Sequence, residues 1–199
     1  MDWFSFIFPR LLIKTSSLYN RDIRVMTEAG KNKLLVNGSR ESGAYIRDLW
    51  GYAMKYLGFT DHPHVRSIIV LGVAGGTVIH MLSGMFPEAK ITGVDIDQKM
   101  IDIGKLYFGL DAVPHLTLVT ADANLFVPKQ SQSKYDLVVL DLFIGREIPD
   151  FASSEKFLQS VRRMLTQGGR LFINYLREEA YGRKADVLAN FLKTLFVDV

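Results

Sequence analysis

Residues 67–80 have the sequence SIIVLGVAGGTVIH, a short apolar run that enters a glycine-rich turn and continues into a helical pattern. Glycines at a strand-to-helix turn allow tight backbone geometry and the close approach of a ligand. The first turn of the following helix also offers free amide donors. A glycine-rich turn alone does not distinguish a binding site from a structural turn, so the surrounding residues have to decide.

Apolar runs and helical segments alternate after this turn. The further runs are short and rich in β-branched residues, and they lie at 90–94, 116–120, 137–140 and 170–174. Helical spacing fills the gaps at 78–85, 98–108, 154–165 and 185–195. Continuous apolar strands that alternate with helices are typical of a parallel sheet covered on both faces. The sequence therefore predicts an α/β fold, a Rossmann-like doubly wound and mainly parallel sheet.

The segment before residue 67 has a different pattern. Residues 22–25 and 33–36 are predicted strands of a β-hairpin around a turn at 30–32, and Asn37-Gly38 predicts a further turn. Residues 45–57 have the spacing of an amphipathic helix. We therefore expect two units, residues 1–60 with an apolar segment, hairpin and helix, and residues 61–199 as a Rossmann-like nucleoside-binding domain. Residues 196–199 resemble the start of another strand, so the closing strands of this domain are expected to be missing or supplied otherwise.

Composition excludes several classes of function. The chain has 199 residues and no cysteine, which excludes disulfides, thiolate zinc sites and a cysteine nucleophile. Four scattered histidines give no metal constellation, so no metal is expected. The net charge of +3 comes from basic residues interleaved with acids, and this pattern does not favour nucleic-acid binding.

The beginning of the chain is apolar from Trp3 to Ile13 but is interrupted by Pro9 and Arg10. A spanning helix needs about 20 apolar residues, and a signal peptide needs an early basic region and a cleavage site. We interpret the segment as one that docks on the domain or on a partner chain. No membrane span is expected, and the protein is expected in the cytoplasm.

Acidic residues follow three successive predicted strands. Asp95 lies 19 residues after Gly76, close to the spacing at which an acid accepts from ribose hydroxyls. Asp122 would accept from an adenine amino group, with the Ala123 amide near the ring. Asp141 would take a proton from an attacking amine or hold a cationic group. Because the carboxyl ends of parallel strands meet at one edge, the three acids predict a single nucleoside crevice.

Two alternatives to the nucleoside interpretation concern the same residues. Asp95, Asp97 and Asp122 also have positions from which they can cap the next helix, and Asp97 is the residue we expect to do so. Nicotinamide binding usually has the pattern G-x-G-x-x-G, which residues 72–77 do not reproduce.

With these residues the chain resembles the polyamine aminopropyltransferases, the spermidine synthase family. That family has the class I methyltransferase fold with an added N-terminal β-hairpin element. The resemblance extends from about Ser17 to Asn174 and is carried by residues 17–25, 34–38, 42–43, 94–97, 122–123 and 135–141.

The resemblance implies a co-substrate, a set of site residues and a partner. The co-substrate is S-adenosylmethionine or its decarboxylated form, and Asp141 is the catalytic residue. The residues implied to bind the nucleoside are Glu41, Gly72, Ala74, Gly75, Gly76, Asp95, Ile96, Asp122 and Ala123. The partners are a small amine or other acceptor, and a second copy of the chain in a homodimer.

The chain departs from the family pattern at the groups that hold the amine. The aspartate of the family's G-G-G-D-G motif falls on Gly75, and a glutamine falls on Glu41. The family's Tyr-His pair falls on Trp50-Gly51, and the second aspartate of D-S-S-D-P falls on Ile144. Most of the groups that hold a polyamine are therefore absent.

Three functions remain open from the sequence. The first is a spermidine-synthase-like transferase that moves an aminopropyl group to an amine. The second is an S-adenosylmethionine-dependent methyltransferase with another acceptor, which needs the nucleoside site but no diamine site. The third is a noncatalytic nucleoside-binding or scaffold protein. The fold alone does not separate them.

Overall fold

The computed structural model describes residues 9–56, 59, 64–144, 147–177 and 181–199. Four antiparallel strands form an N-terminal sheet in which each strand pairs with the next along the chain. The strands are β1 Arg10–Thr15, β2 Ile23–Glu28, β3 Lys31–Val36 and β4 Ser39–Ser42.

Two tight turns set the register of this sheet. Ala29 and Gly30 join β2 to β3 with φ values of 50° and 73°, and Asn37 and Gly38 join β3 to β4 with 48° and 84°. Left-handed conformations at both central residues match the twist of paired strands in a hairpin. The predicted hairpin is confirmed, but its turn is Ala29-Gly30 instead of residues 30–32. The segment after Asn37-Gly38 adds a strand that the sequence did not predict.

Only the last part of the predicted docking segment, Trp3 to Ile13, lies within the described residues, and it forms a strand. Residues 10–15 form β1, which pairs with β2 along the edge of the N-terminal sheet. Leu11 and Leu12 on this strand are exposed, so their apolar character does not reflect burial in the core. Residues 1–8 lie outside the described residues.

The second sheet has five strands, all parallel, in the order β7-β6-β5-β8-β9. Its strands are β5 Ser67–Leu71, β6 Lys90–Asp95, β7 Leu116–Thr120, β8 Tyr135–Leu140 and β9 Leu165–Ile173. The helices are α1 Ala44–Tyr56, α2 Thr77–Met85, α3 Gln98–Phe108, α4 Ala123–Phe126, α5 Glu155–Met164 and α6 Gly182–Leu195.

Both faces of the parallel sheet are covered by helices. Ile68 and Val70 of β5 belong to a buried cluster with side chains of α1 and α2. Ile69 and Leu71, which alternate with them, belong to a second cluster with α5 and α6. Strands buried on both faces have continuous apolar sequences, and this is why the sequence predicted them. The α/β doubly wound fold is confirmed.

The N-terminal sheet packs on α3. Ile23, Val25, Leu34 and Val36 are fully or almost fully buried and form a third cluster with Met100 and Ile103 of α3. Because α3 follows β6 directly, this contact brings the N-terminal sheet to the carboxyl edge of the parallel sheet.

The order of the parallel strands fixes where a ligand can bind. The chain moves from β5 to β6 and β7 on one side, and β8 and β9 lie on the other side of β5. In open α/β sheets the binding crevice lies outside the carboxyl ends of the strands at such a switch point. Here that point is between β5 and β8.

Two further observations concern the chain as a whole. Residues 196–199, predicted as the start of a strand, belong to no strand and follow α6 as an irregular segment. In the described part of the chain no helix is long and apolar enough to cross a membrane.

Candidate active site

The glycine turn begins with a close contact between two strand ends. Gly72 has φ of 96°, and a Cβ atom added to it would lie 1.9 Å from the backbone oxygen of Asp141. The Asp141 N–H donates to the carbonyl of Leu71 at 2.8 Å. Only glycine fits at position 72, because any side chain there would overlap the backbone that leaves β8. The contact therefore brings Asp141 to the switch point.

The Asp95 carboxylate organises the same turn. Its Oδ2 accepts from the N–H groups of Val73 at 2.9 Å and Ala74 at 3.2 Å, and its Oδ1 accepts from the Asp97 N–H at 2.9 Å. Burial raises the pKa of Asp95, and the three backbone hydrogen bonds oppose that rise. A carboxylate has about four acceptor positions, so one remains for a ligand.

Two neighbouring aspartates cap helices. Asp97 is buried and accepts from the Lys99 N–H at 3.0 Å, as expected, and it also accepts from the side chains of Ser17 and Asn20. Asp122 accepts from the Asn124 N–H at 2.8 Å and so caps α4. The capping interpretation of Asp122 is therefore confirmed.

A cleft at the carboxyl edge collects five of the predicted nucleoside-binding residues. Gly72, Asp95, Ile96, Asp122 and Ala123 line it, and its empty space, open mouth included, is about 430 Å³. The rest of the lining is mostly apolar and consists of Val94, Ala121, Leu142, Phe143, Ile144, Pro149 and Phe151. Apolar walls with a few carboxylates suit a flat base joined to a hydroxyl-bearing sugar.

The other predicted residues of the glycine turn do not line this cleft. The Gly75 N–H donates to Ser42 Oγ at 2.8 Å, and a Cβ atom on Gly75 would lie 2.6 Å from the same oxygen. A Cβ atom on Gly76 would collide with Leu110. Ala74 packs with the cluster between α3 and the N-terminal sheet. These residues are small because the turn is packed tightly under β4 and α3.

Asp141 is half-buried among polar side chains at the end of β8. The Asn174 side-chain amide donates to Asp141 Oδ1 at 2.8 Å. Burial raises the pKa of Asp141 to about 6, while the Asn174 amide and the nearby Trp50 indole N–H act in the opposite direction. The Trp50 indole nitrogen is buried and, within the described residues, has no hydrogen bond of normal geometry.

Glu41 lies on β4 and faces the same group. Burial, followed by the charge of Asp141, raises the pKa of Glu41 to about 7. Glu41 therefore lies within electrostatic reach of Asp141, where the N-terminal sheet meets the end of β8.

Sequence reasoning missed Asn174 and Ser42 as parts of the site. Asn174 directly follows β9, so the rule that ligands bind at the carboxyl ends of strands would have indicated it. Ser42 is fully buried and contacts Gly75, but no sequence pattern indicates a contact 33 positions apart. Among the described residues, no group of three or more His, Cys, Asp or Glu side chains is arranged to hold a metal ion.

Comparison with known sequences gives a family match. The spermine/spermidine synthase domain matches residues 52–192. The chain is 28% identical over 123 residues to a polyamine aminopropyltransferase of Vibrio vulnificus, covering 61% of this chain and 41% of that protein. It is 27% identical over 140 residues to the eEF1A lysine and N-terminal methyltransferase of Bos taurus, covering 65% of this chain and 20% of that protein.

Comparison with solved structures shows the same fold. The spermidine synthase of Thermotoga maritima superposes with a TM-score of 0.74 at 14% identity, covering 94% of this chain and 64% of that one. Human methyltransferase-like protein 13, solved in complex with SAH, gives a TM-score of 0.58 at 23% identity, covering 69% of this chain and 64% of that one. The chain thus spans less than half of the two curated relatives and about two thirds of these solved chains.

Proposed function

The chain belongs to the spermine/spermidine synthase family, and from that membership we propose that it is a transferase acting on an S-adenosyl nucleoside. Its co-substrate is S-adenosylmethionine or decarboxylated S-adenosylmethionine, and the group transferred to an amine is an alkyl group, the aminopropyl group. The observation that carries the proposal is the contact of Gly72 with Asp141, beside a cleft that holds Asp95 and Asp122.

The nucleoside roles follow from the acceptors in the cleft. Asp95 has one acceptor position left after its three backbone hydrogen bonds, which suits a ribose hydroxyl. Asp122 and the backbone of Ala123 are proposed to contact the adenine edge. Phe143 and Ile144 supply apolar contact for the base.

The proposed reaction needs a base and an uncharged amine. The amine nitrogen attacks the carbon beside the sulfonium, so that an N–C bond forms as the C–S bond breaks. The electron pair returns to sulfur and leaves a neutral thioether nucleoside, and the proton lost by nitrogen goes to Asp141. Because the pKa of Asp141 is about 6, this carboxylate is mostly ionised at neutral pH and can accept that proton.

A second candidate is methyl transfer to another acceptor. It is favoured by Ile144 and Gly75, which carry no carboxylate where the resemblance would require one, and by the similarity to the methyltransferase of Bos taurus. The same nucleoside contacts serve both reactions. A noncatalytic nucleoside-binding protein is the third candidate.

Partners and location belong to the same proposal. We propose a homodimer that acts on small molecules in the cytoplasm, with no nucleic-acid partner, by analogy with the family. Light scattering of the purified protein measures its oligomeric state.

Isothermal titration calorimetry with intact and decarboxylated S-adenosylmethionine tests the function. The two ligands differ by one carboxylate, so a preference for the decarboxylated form supports aminopropyl transfer, and a preference for the intact form supports methyl transfer. Asp95→Ala is expected to weaken the binding of both ligands. Binding of neither ligand to a protein that circular dichroism shows to be folded would overturn the nucleoside site. Binding without turnover on any amine or methyl acceptor would favour the noncatalytic candidate.

A further inference from the structure

We propose that the exposed side of α1 is the contact surface of a homodimer, in which α1 packs antiparallel against α1 of a second copy of this chain. The inference rests on the homodimer proposed above and names the surface that forms it. This surface is the outer stripe, four large side chains that α1 presents away from the core: Tyr45, Leu49, Tyr52 and Tyr56.

The outer stripe is a continuous apolar surface. Its residues follow one another at helical spacing, so at about 100° per residue they lie within a strip about 60° wide. Tyr45, Tyr52 and Tyr56 are 58%, 73% and 79% exposed, and Leu49 is 44% exposed. The rings of Tyr52 and Tyr56 stack with their centroids 6.2 Å apart. The four side chains therefore form one surface and are not scattered.

The opposite side of α1 is already buried. Trp50 and Met54 belong to the cluster that α1 shares with α2 and the parallel sheet, and Ile46 packs against that cluster. A surface helix of a globular protein normally has one apolar and one polar face, whereas a helix that is apolar on two sides is typically covered on both. The outer side of α1 is thus the side on which a partner is expected.

The outer stripe is large enough for the centre of an interface. If each of its residues offers about 200 Å² when fully exposed, the exposed fractions leave about 500 Å² of stripe on each copy. A standard interface buries about 800 Å² on each partner. The stripe supplies more than half of that area, so we expect a dimer with a dissociation constant on the order of micromolar.

Two charges select the antiparallel arrangement. Asp48 and Lys55 are exposed and lie about two turns apart on the same flank of the outer stripe, and neither forms an ion pair with another described residue. A two-fold axis between antiparallel helices brings each flank against the same flank of the partner. Asp48 then lies beside the partner's Lys55, and the reverse pair forms as well. In a parallel pair the charged flank would face the opposite flank, which carries Ile46 and Ala53, and neither charge would be paired.

The same axis makes the apolar side chains self-complementary. It places Tyr45 opposite the partner's Tyr56 and Leu49 opposite the partner's Tyr52. Every contact therefore occurs twice, as an isologous interface requires. Because the stripe and its charges match their own two-fold image, the partner they fit is a second copy of this chain.

Sedimentation velocity of the full chain, over about a hundredfold range of concentration, tests the inference. The wild-type protein is expected to change from monomer to dimer within this range. Tyr52→Ser should weaken the dimer about tenfold or more, because the ring is lost from both copies. Leu106→Ser is the matched control and should leave the dimer unchanged, since Leu106 is 74% exposed on α3 and lies outside the stripe.

Exchange of the two charges tests the direction of the helices. Asp48→Lys and Lys55→Asp each place like charges side by side at two positions in the dimer, so each should weaken it about tenfold at low salt. The double variant restores both pairs and should return the affinity to within about twofold of wild type. Circular dichroism checks that all variants are folded.

Three results would overturn the inference, and they differ in what else they overturn. A wild-type protein that stays monomeric removes the homodimer as well and leaves the outer stripe to an unrelated partner. A dimer that Tyr52→Ser weakens no more than Leu106→Ser forms through another surface, and the homodimer then stands. Charge variants that weaken the dimer without restoration in the double variant remove the antiparallel pairing. The nucleoside site is tested separately by the calorimetric titrations and does not depend on these results.

Discussion

Gly72 and the carbonyl oxygen of Asp141 are so close that a methyl group on Gly72 would stand 1.9 Å from that oxygen. The ends of β5 and β8 are thus in direct backbone contact at the switch point of the sheet. One relationship between two residues defines both the turn that approaches the proposed nucleoside cleft and the position of the proposed base.

Gly72→Ala is expected to destabilise the fold severely, and Gly109→Ala is its control. Both glycines have positive φ, 96° and 70°, but no atom lies within 4 Å of the place where a Cβ of residue 109 would stand. Gly109→Ala should cost about 1–2 kcal/mol from its backbone conformation alone. Gly72→Ala should cost at least about 2 kcal/mol more from the overlap. Urea unfolding measures the free energy of unfolding of both variants. Equal losses relative to wild type would contradict the close contact between Gly72 and Asp141.

Ser42 and Gly75 should be energetically coupled. Gly75→Ala places a methyl group 2.6 Å from Ser42 Oγ and should cost about 1–3 kcal/mol. Ser42→Gly frees that space at the cost of the hydrogen bond to Gly75, so the double variant should be more stable than the sum of the single losses predicts. A double-mutant cycle measured by thermal unfolding gives the coupling, and additive losses would show that β4 is not packed on the turn.

Substitutions of Asp122 should separate its cap from its proposed contact with adenine. Serine caps helices about as well as aspartate, so Asp122→Ser should keep the stability within about 0.5 kcal/mol, whereas Asp122→Ala should lose about 1 kcal/mol. Both variants should weaken the binding of 5′-methylthioadenosine, a related nucleoside without the amino group, about tenfold. Neither alanine nor serine is long enough to reach the base. Unchanged calorimetric affinity of Asp122→Ser would leave Asp122 with a capping role only.

Glu41 should make stability decrease as pH rises. Its folded pKa of about 7 lies above the ordinary value of 4.5, so between these values the folded state holds more protons than the unfolded state. The contribution of Glu41 is therefore fully favourable below about pH 4.5 and is lost as pH rises through about 7. Relative to wild type, the free energy of unfolding of Glu41→Gln should increase by about 1–3 kcal/mol between pH 4.5 and 7.5. Urea unfolding at several pH values measures this difference. Parallel stability curves would show that Glu41 is not buried.

The parallel sheet was predictable because its strands carry a strong local signal. Ile69 and Val70 point to opposite faces, yet both are buried under helices, so the strand is apolar throughout. The acids at the strand ends were predictable for a related reason, since all parallel strands end at the same edge.

The parts of the structure that the sequence did not predict depend on contacts that leave no local sequence pattern. Strand β4 has the sequence SRES, which is polar and non-alternating, and it pairs because of the Asn37-Gly38 turn. Gly75 and Gly76 look equivalent to Gly72 in sequence, but Ser42 and Leu110 occupy the space beside them. Such differences arise from tertiary packing between distant segments.

The fastening of β4 to the glycine turn has a consequence for how chains of this kind diversify. Ser42 lies outside residues 52–192, the part that matches the family, yet its hydroxyl accepts from the Gly75 N–H inside that part. A change of sequence in β4 can therefore alter the packing of the glycine turn while every residue of the matched part stays the same.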